Sequence, residues 1–270
     1  MIRMDRGAEP AILLQVRIDE LARVGSIAAN KAPTSDEIGV RYSVVREELW
    51  KSQFYKCCFC DFKVQHPYND VEHYRPKAEA DRMPGSADKS GYWWLAWTWE
   101  NLMFSCAPCN RSHKRGLFPL RTGSTPLAAH QMPPGKEIPL LIDPFFEDPI
   151  DHIQFRLMCV RGREHWLPFP RSGSIKGATT IKVAGLDQPR LIDHYDEHIE
   201  HYVMPRIQNI RIALLNKNLD LIKNAWNEET KQPLHVRLAF AALSYDALDQ
   251  LLVPETIRLR HDLVLKRPGR

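Results

Sequence analysis

Two cysteine pairs carry the most specific chemistry in this sequence: Cys57 and Cys60 in KCCFCD, and Cys106 and Cys109 in SCAPCN. Each pair encloses two residues, which lets a tight turn aim both thiolates at one point and form one edge of a tetrahedral Zn²⁺ shell. The gap of 45 residues between the pairs makes the expected structural zinc a clamp across a folded segment, not a self-contained short finger. A redox C-x-x-C, or plain buried cysteines, would suit one pair better than two matched ones. Cys58 is a decoy within CCFC, because using it would leave a single residue before Cys60. Cys58 and Cys159 are expected to be free, buried thiols.

Between the pairs lies VEHYRPK, residues 71–77. In an extended segment Glu72 and His73 point to opposite faces. Phosphodiester hydrolysis has a use for both: a carboxylate to hold a hard divalent cation against the phosphate, and a neutral imidazole to take a proton from water. Asn101 follows 28 positions after His73 in WENLMF, and Asn110 stands directly after the last cysteine in CNRSHKRG. His113 shares the face of Asn110 at helical spacing and is read as a solvent or phosphate contact ahead of a metal ligand. Arg75, Lys77, Arg111, Lys114 and Arg115 bracket this set; they are expected to meet phosphate instead of forming a plain solvated face, since the site must hold a polyanion.

In order and type, Glu72–His73, Asn101 and Asn110 resemble the HNH, or ββα-metal, endonuclease superfamily: an acid–His pair, a middle Asn in a loop, and a terminal His or Asn on the helix. The resemblance implies that His73 is the general base, that Asn101 orients it through loop hydrogen bonds, and that Glu72 and Asn110 bind the catalytic ion. Much of the superfamily has Asp at the position of Glu72 and His at that of Asn110. Oxygen ligands at both places suit Mg²⁺ or Mn²⁺. A closer resemblance is to one HNH branch, the PtuB-type nuclease subunit of Septu antiphage systems, also found beside some retrons. It is carried by DRGAEPAIL, KCCFCD, VEHYRPK, GYWWLAWTWENLMFSC, CNRSHKRGLFPL and PLLIDPFFEDP, covering roughly residues 5–150, with TTIKVAGLDQPRL a weaker extension to 191. It implies an ATPase partner of the AAA/SMC-like, PtuA type, which composition alone does not suggest.

These residues need elements to position them. Ile38, Tyr42, Val45, Leu49 and Phe54 fall at near-helical spacing, so a helix over 35–54 with Ser35 as N-cap is expected to lead into the first cysteine pair. The aromatic run Tyr92, Trp93, Trp94, Trp97 and Trp99 is read as core around the zinc and the flanking helix ahead of a base-stacking platform, because a hairpin of about 50 residues has little core of its own. Residues 122–139 are rich in Pro, Gly and Ser and read as a surface loop; HIQFRLMCV looks strand-like. From about 178 the pattern turns helical, with Pro205 expected to kink or split one helix and further helices expected over 234–252 and 254–266. His194, His198 and His201 share a helix face and are read as exposed polar or interface residues, not as ligands. The expected division is an N-terminal helical arm plus HNH core over 1–121 (catalytic segment 55–121), a linker and strand-like region over 122–177, and a helical region over 178–270.

The fold class expected is α+β, with a ββα-metal HNH core and a four-cysteine zinc knuckle flanked by helices. The 270 residues carry a formal charge of +4, compatible with a nucleic-acid partner, DNA ahead of RNA, but too mild to identify one. No run approaches the roughly 18–20 apolar residues of a membrane span, so a cytoplasmic protein with no membrane partner is expected. The function expected is a metal-dependent endonuclease; the alternative is a non-catalytic zinc-stabilised module that grips nucleic acid or protein.

Overall fold

The computed structural model describes residues 1–82, 90–216 and 218–268. Pro10 sets an extended entry into α1 (Ala11–Ala28), which buries Leu13, Val16, Glu20 and Val24 along one face. The single helix expected over 35–54 is broken. Thr34, not Ser35, caps α2 (Ser35–Ile38): its hydroxyl accepts from the Glu37 amide while the Glu37 carboxylate accepts from the Thr34 amide, a complete capping box. Gly39, at φ 72°, ends α2, and the chain makes a 3₁₀ turn over Arg41–Val45 before α3 (Arg46–Ser52).

Strand β1 (Asp70–His73) pairs antiparallel with β2 (Leu102–Ser105), placing Glu72 opposite Met103 and His73 opposite Leu102. A π-type helical turn, Pro108–Lys114, follows β2. The buried amide of Gln53 works as a side-chain substitute for a third strand: it accepts from Phe104 N at 2.6 Å and donates to Phe104 O at 2.7 Å. The aromatic run lies inside, as expected, with Tyr92, Trp93, Trp94, Trp97 and Trp99 all buried. Arg6 reaches the same region from the N-terminal segment and donates to the carbonyls of Trp99 and Leu102.

In the second half, β3 (Ile153–Val160) and β4 (Arg163–Pro170) form an antiparallel hairpin. Its inner end packs on the core through Ile153, Phe155 and Trp166, while Leu157 to Val160 are exposed. Cys159 therefore is not the buried thiol expected from the sequence; it stands on the exposed outer part of β3. Helices α4 (Ile175–Ala184), α5 (Pro189–His198), α6 (Met204–Leu215), α7 (Leu219–Lys231) and α8 (Ala241–Leu252) complete the chain. Pro205 interrupts the regular helix as expected: the helical run of α5 and α6 continues through a wider π turn over Ile199–Val203, directly ahead of the proline that supplies no N–H to the ladder. The helix expected over 234–252 begins only at Ala241, after Phe240 in a left-handed conformation, and the one expected over 254–266 is reduced to a 3₁₀ turn, Ile257–Leu259.

A buried ion pair ties the first cysteine loop to this helical region. Lys56 Nζ lies 2.7 Å from Asp61 Oδ1, with both side chains fully buried, and donates to Val236 O at 2.8 Å and Leu238 O at 3.0 Å. Removing one member of such a pair typically costs about 3–5 kcal/mol. Among the described residues, no helix is long and apolar enough to cross a membrane.

Candidate metal centre and candidate active site

The four cysteines converge. Sγ atoms of Cys57, Cys60, Cys106 and Cys109 all lie within 4.8 Å of one another, and all four residues are buried. Zn–S bonds of about 2.3 Å in a tetrahedron give S–S edges of about 3.8 Å, and Cys60 Sγ to Cys106 Sγ is 3.8 Å. The first pair is shaped by a turn in which Asp61 N donates to Cys57 O, Cys57 N donates to Phe62 O, and Asp61 adopts φ 65°. The second lies where β2 gives way to the π turn, with Asn110 N donating to Cys106 O. Burial opposes a Cys57 thiolate, but the thiols of Cys106, Cys109, Cys58 and Cys60 hold its pKa well below the ordinary value. Cys60 and Cys109 are pushed the other way, well above the ordinary thiol value, chiefly by Cys106, so only Cys57 is favoured as a thiolate, and it is by its four soft sulfur donors and its size that the cage suits zinc. Cys58 is buried outside it, with its backbone N–H on Phe104 O and its thiol pKa pushed up by burial.

Along β1, alternation separates Glu72 from His73. His73 is buried, and its Nε2 donates to the Ala96 carbonyl at 3.0 Å. A carbonyl only accepts, so the proton belongs on Nε2 and the Nδ1 lone pair is left for chemistry. Burial brings the His73 pKa down to about 3, which favours the neutral ring and at the same time makes it a weaker proton acceptor than an ordinary imidazole. The Tyr42 ring stands edge-on to it at 4.4 Å.

Asn101 fastens the turn that follows His73. Its Oδ1 accepts from Arg75 N at 2.8 Å, its Nδ2 donates to Arg75 O at 3.0 Å and Leu95 O at 3.1 Å, and its backbone carbonyl accepts from Tyr74 N at 2.9 Å. One carboxamide thus links the loop before Asn101 to the segment leaving β1.

On the other face of β1 the π turn closes in. Lys114, fully buried, places Nζ 2.5 Å from Glu72 Oε1 and donates to His73 O at 2.9 Å. Burial raises the Glu72 pKa, and Lys114 partly offsets it. Asn110 Nδ2 donates to Asp70 Oδ2 at 3.2 Å, and Arg111 grips the same carboxylate through Nε at 2.8 Å and Nη2 at 2.6 Å. Arg75 is buried against Glu137 at 2.7 Å, and Lys77 donates to Gly39 O at 2.7 Å. Arg111 and Arg115 are the two of the five bracketing cations on the exposed surface. His113 turns toward the C-terminus of α4: a Cβ added at Gly185, which has φ +63°, would lie 2.5 Å from its ring.

Compared with known proteins, the chain is 31% identical over 216 residues to Septu protein PtuB of Bacillus mycoides (strain KBAB4), a match spanning 77% of this chain and 70% of that relative. The chain belongs to the PtuB family of Septu proteins. The resemblance drawn to PtuB of Septu systems is thereby borne out. No family model and no solved structure matches the chain.

Three residues at this candidate site of the PtuB-family chain are not among the site residues read from the sequence. Asp70 shares the Glu72 face of β1, which two-residue alternation could have flagged. Tyr42 and Gln53 come from the segment before the first cysteine pair, and nothing in their spacing announces contact with His73 or β2. The second histidine cluster is less exposed than expected. His194 stacks on Phe62 at 4.6 Å, and His198 shares a 2.8 Å hydrogen bond with Ser244 while burial brings its pKa down to about 4. His201 is exposed and His194 and His198 are half-buried, and the three form no metal-ligand cluster among the described residues.

Proposed function

We propose that the chain is a metal-dependent HNH-type endonuclease, the nuclease effector of an antiphage defence system that works with an AAA/SMC-like ATPase. The family supports the defence role. The nuclease reading rests chiefly on His73: a neutral imidazole tethered through Nε2, with Nδ1 left as a base, on a strand whose next turn is fastened by Asn101. The order of β1, β2 and the Pro108–Lys114 turn, with the cysteine cage at one end, fits a ββα-metal core.

In this reading His73 Nδ1 takes a proton from water as the water oxygen attacks phosphorus; the P–O3′ bond breaks, and a solvent water gives the leaving oxygen its proton. Asn101 holds the His73 turn in place. Glu72 and Asn110 would hold a Mg²⁺ or Mn²⁺ ion, which when bound supplies charge stabilisation at the phosphate. Arg111 and Arg115 are the cations placed to meet flanking phosphates, with Lys77 nearer the interior. Arg75 and Lys114 serve by fixing the site from within. DNA stands ahead of RNA as substrate.

One observation favours a second reading, a non-catalytic zinc-stabilised binding module: Glu72 is already neutralised by Lys114 in a buried pair, which competes with a divalent ion. Nicking of supercoiled plasmid separates the two. Wild type with Mg²⁺ or Mn²⁺ should nick, and purified His73→Ala of unchanged zinc content should lose a factor of about 10²–10⁴, the usual contribution of a general base. Equal rates for the two proteins would remove His73 from that role, and no nicking by wild type alone or with the ATPase would leave the binding module.

A further inference from the structure

Away from β1, the first cysteine loop and the C-terminal helices enclose an open trough of about 920 Å³. Lys63 enters it from the cysteine loop, Lys231 from the last turn of α7, and His235 and Arg237 from the segment that follows. All four are exposed. None of Lys63, Lys231 and Arg237 has an acidic partner among the described ion pairs, in contrast to Arg75, Arg111 and Lys114 around Glu72. Asn224 and Asn227 of α7 add neutral hydrogen-bonding groups, and Glu228 is the one carboxylate in the lining. Arg237 is held with its guanidinium 5.6 Å over the Phe54 ring. The Lys56 ion pair braces the trough, because Lys56 donates to Val236 O and Leu238 O on either side of Arg237.

We propose that this trough is a second nucleic-acid-binding site, gripping the phosphodiester backbone of a single strand outside the candidate active site. Three unpaired cations with amide and imidazole groups between them match a polyanion whose charges repeat along a chain, and an open trough admits a strand that continues at both ends. Among the described lining residues, Tyr202 offers a ring on which a base can stack and Leu238 is the one aliphatic side chain. His73, Glu72, Asn101 and Asn110 contribute nothing to the lining. The inference shares with the nuclease reading only the premise that the chain meets nucleic acid.

The test is fluorescence anisotropy of the full chain, zinc-replete and without Mg²⁺, titrated onto a labelled 20-nucleotide single-stranded DNA and an RNA of the same sequence across a salt series. With about 0.7 counterion released per single-strand phosphate contact, each contact is worth about fivefold at 0.1 M salt. A Lys63→Gln/Lys231→Gln/Arg237→Gln variant should therefore bind about 100-fold more weakly there, with a log–log salt slope shallower by about 2. Glu228→Gln, which removes the opposing charge, should bind a few-fold more tightly, a gain that misfolding would not produce. The tighter-bound of the two strands identifies the natural occupant. Unchanged affinity and slope in the triple variant, or no binding of either strand by wild type at 50 mM salt, would overturn the proposal. Weakened binding by the variant alongside a wild type that never nicks plasmid would retire the nuclease reading and keep the trough; normal nicking with unchanged binding would do the reverse.

Discussion

Replacing Asn101 with alanine should cost far more than one side chain of its size suggests. The carboxamide makes three buried hydrogen bonds, to Arg75 N, Arg75 O and Leu95 O, at 2.8–3.1 Å. Stranding the Arg75 N–H without an acceptor costs about 1–3 kcal/mol, and the two carbonyls, each with a second lone pair, add less. The total is about 3 kcal/mol. At about 2–4 °C per kcal/mol for a chain of this size, the melting temperature should fall by roughly 6–12 °C. Differential scanning calorimetry in zinc-containing buffer, with zinc content measured on both proteins, makes the comparison. Asn101→Asp keeps an acceptor for Arg75 N–H but turns a carboxylate toward two carbonyl oxygens, so it should not restore wild-type stability. An Asn101→Ala protein that melts within 2 °C of wild type, zinc retained, would refute the account of Asn101 as the fastener of the His73 turn.

Cys106→Ser should lose zinc and fold together, because the binding energy of a structural zinc, about 10–16 kcal/mol in small zinc peptides, rivals the whole stability of a domain; a monomeric, cooperatively melting variant without metal would contradict this. Asp246 offers a pH test. Its carboxylate accepts from Phe155 N at 2.8 Å and from Arg171, yet burial, opposed by Arg171, pushes its pKa up to about 6. A raised pKa means that the folded state holds the proton more tightly, so this contribution to stability is full below the ordinary carboxylate pKa and is lost as pH rises through about 6. Asp246→Asn cannot lose it. Between pH 4.5 and 7.5 urea denaturation should show the variant gaining about 2 kcal/mol on wild type, and a stability gap that stays flat across that range would rule out the raised pKa.

The cysteine cage was legible because ligand spacing is a local property. Two residues between thiols dictate a turn, and two such turns admit few purposes, so Cys58 could be set aside by counting. Glu72 and His73 were separable for a similar reason, since alternation along a strand follows from backbone geometry. The aromatic run was legible as core because five large rings so close together must be buried somewhere. Less of the helical architecture was readable. Gly39 ends α2 and Phe240 delays α8, each through a positive φ that apolar periodicity does not register. Cys159 was misplaced because a strand pattern does not say how far a hairpin extends beyond the core that supports it.

What the sequence determined by itself is a set of donors: four thiols spaced for a tetrahedral metal, and a carboxylate, an imidazole and two carboxamides in an order that resembles the HNH pattern. Their environment was decided only in three dimensions. Ala96 selects the His73 tautomer, Lys114 occupies the Glu72 carboxylate, Asp70 engages Asn110, and Arg75 is drawn inward to Glu137. Each partner is between 23 and 62 residues away along the chain. Spacing governs which groups a short turn can bring together, whereas protonation and charge pairing depend on what burial leaves beside each group, and burial belongs to the folded chain as a whole.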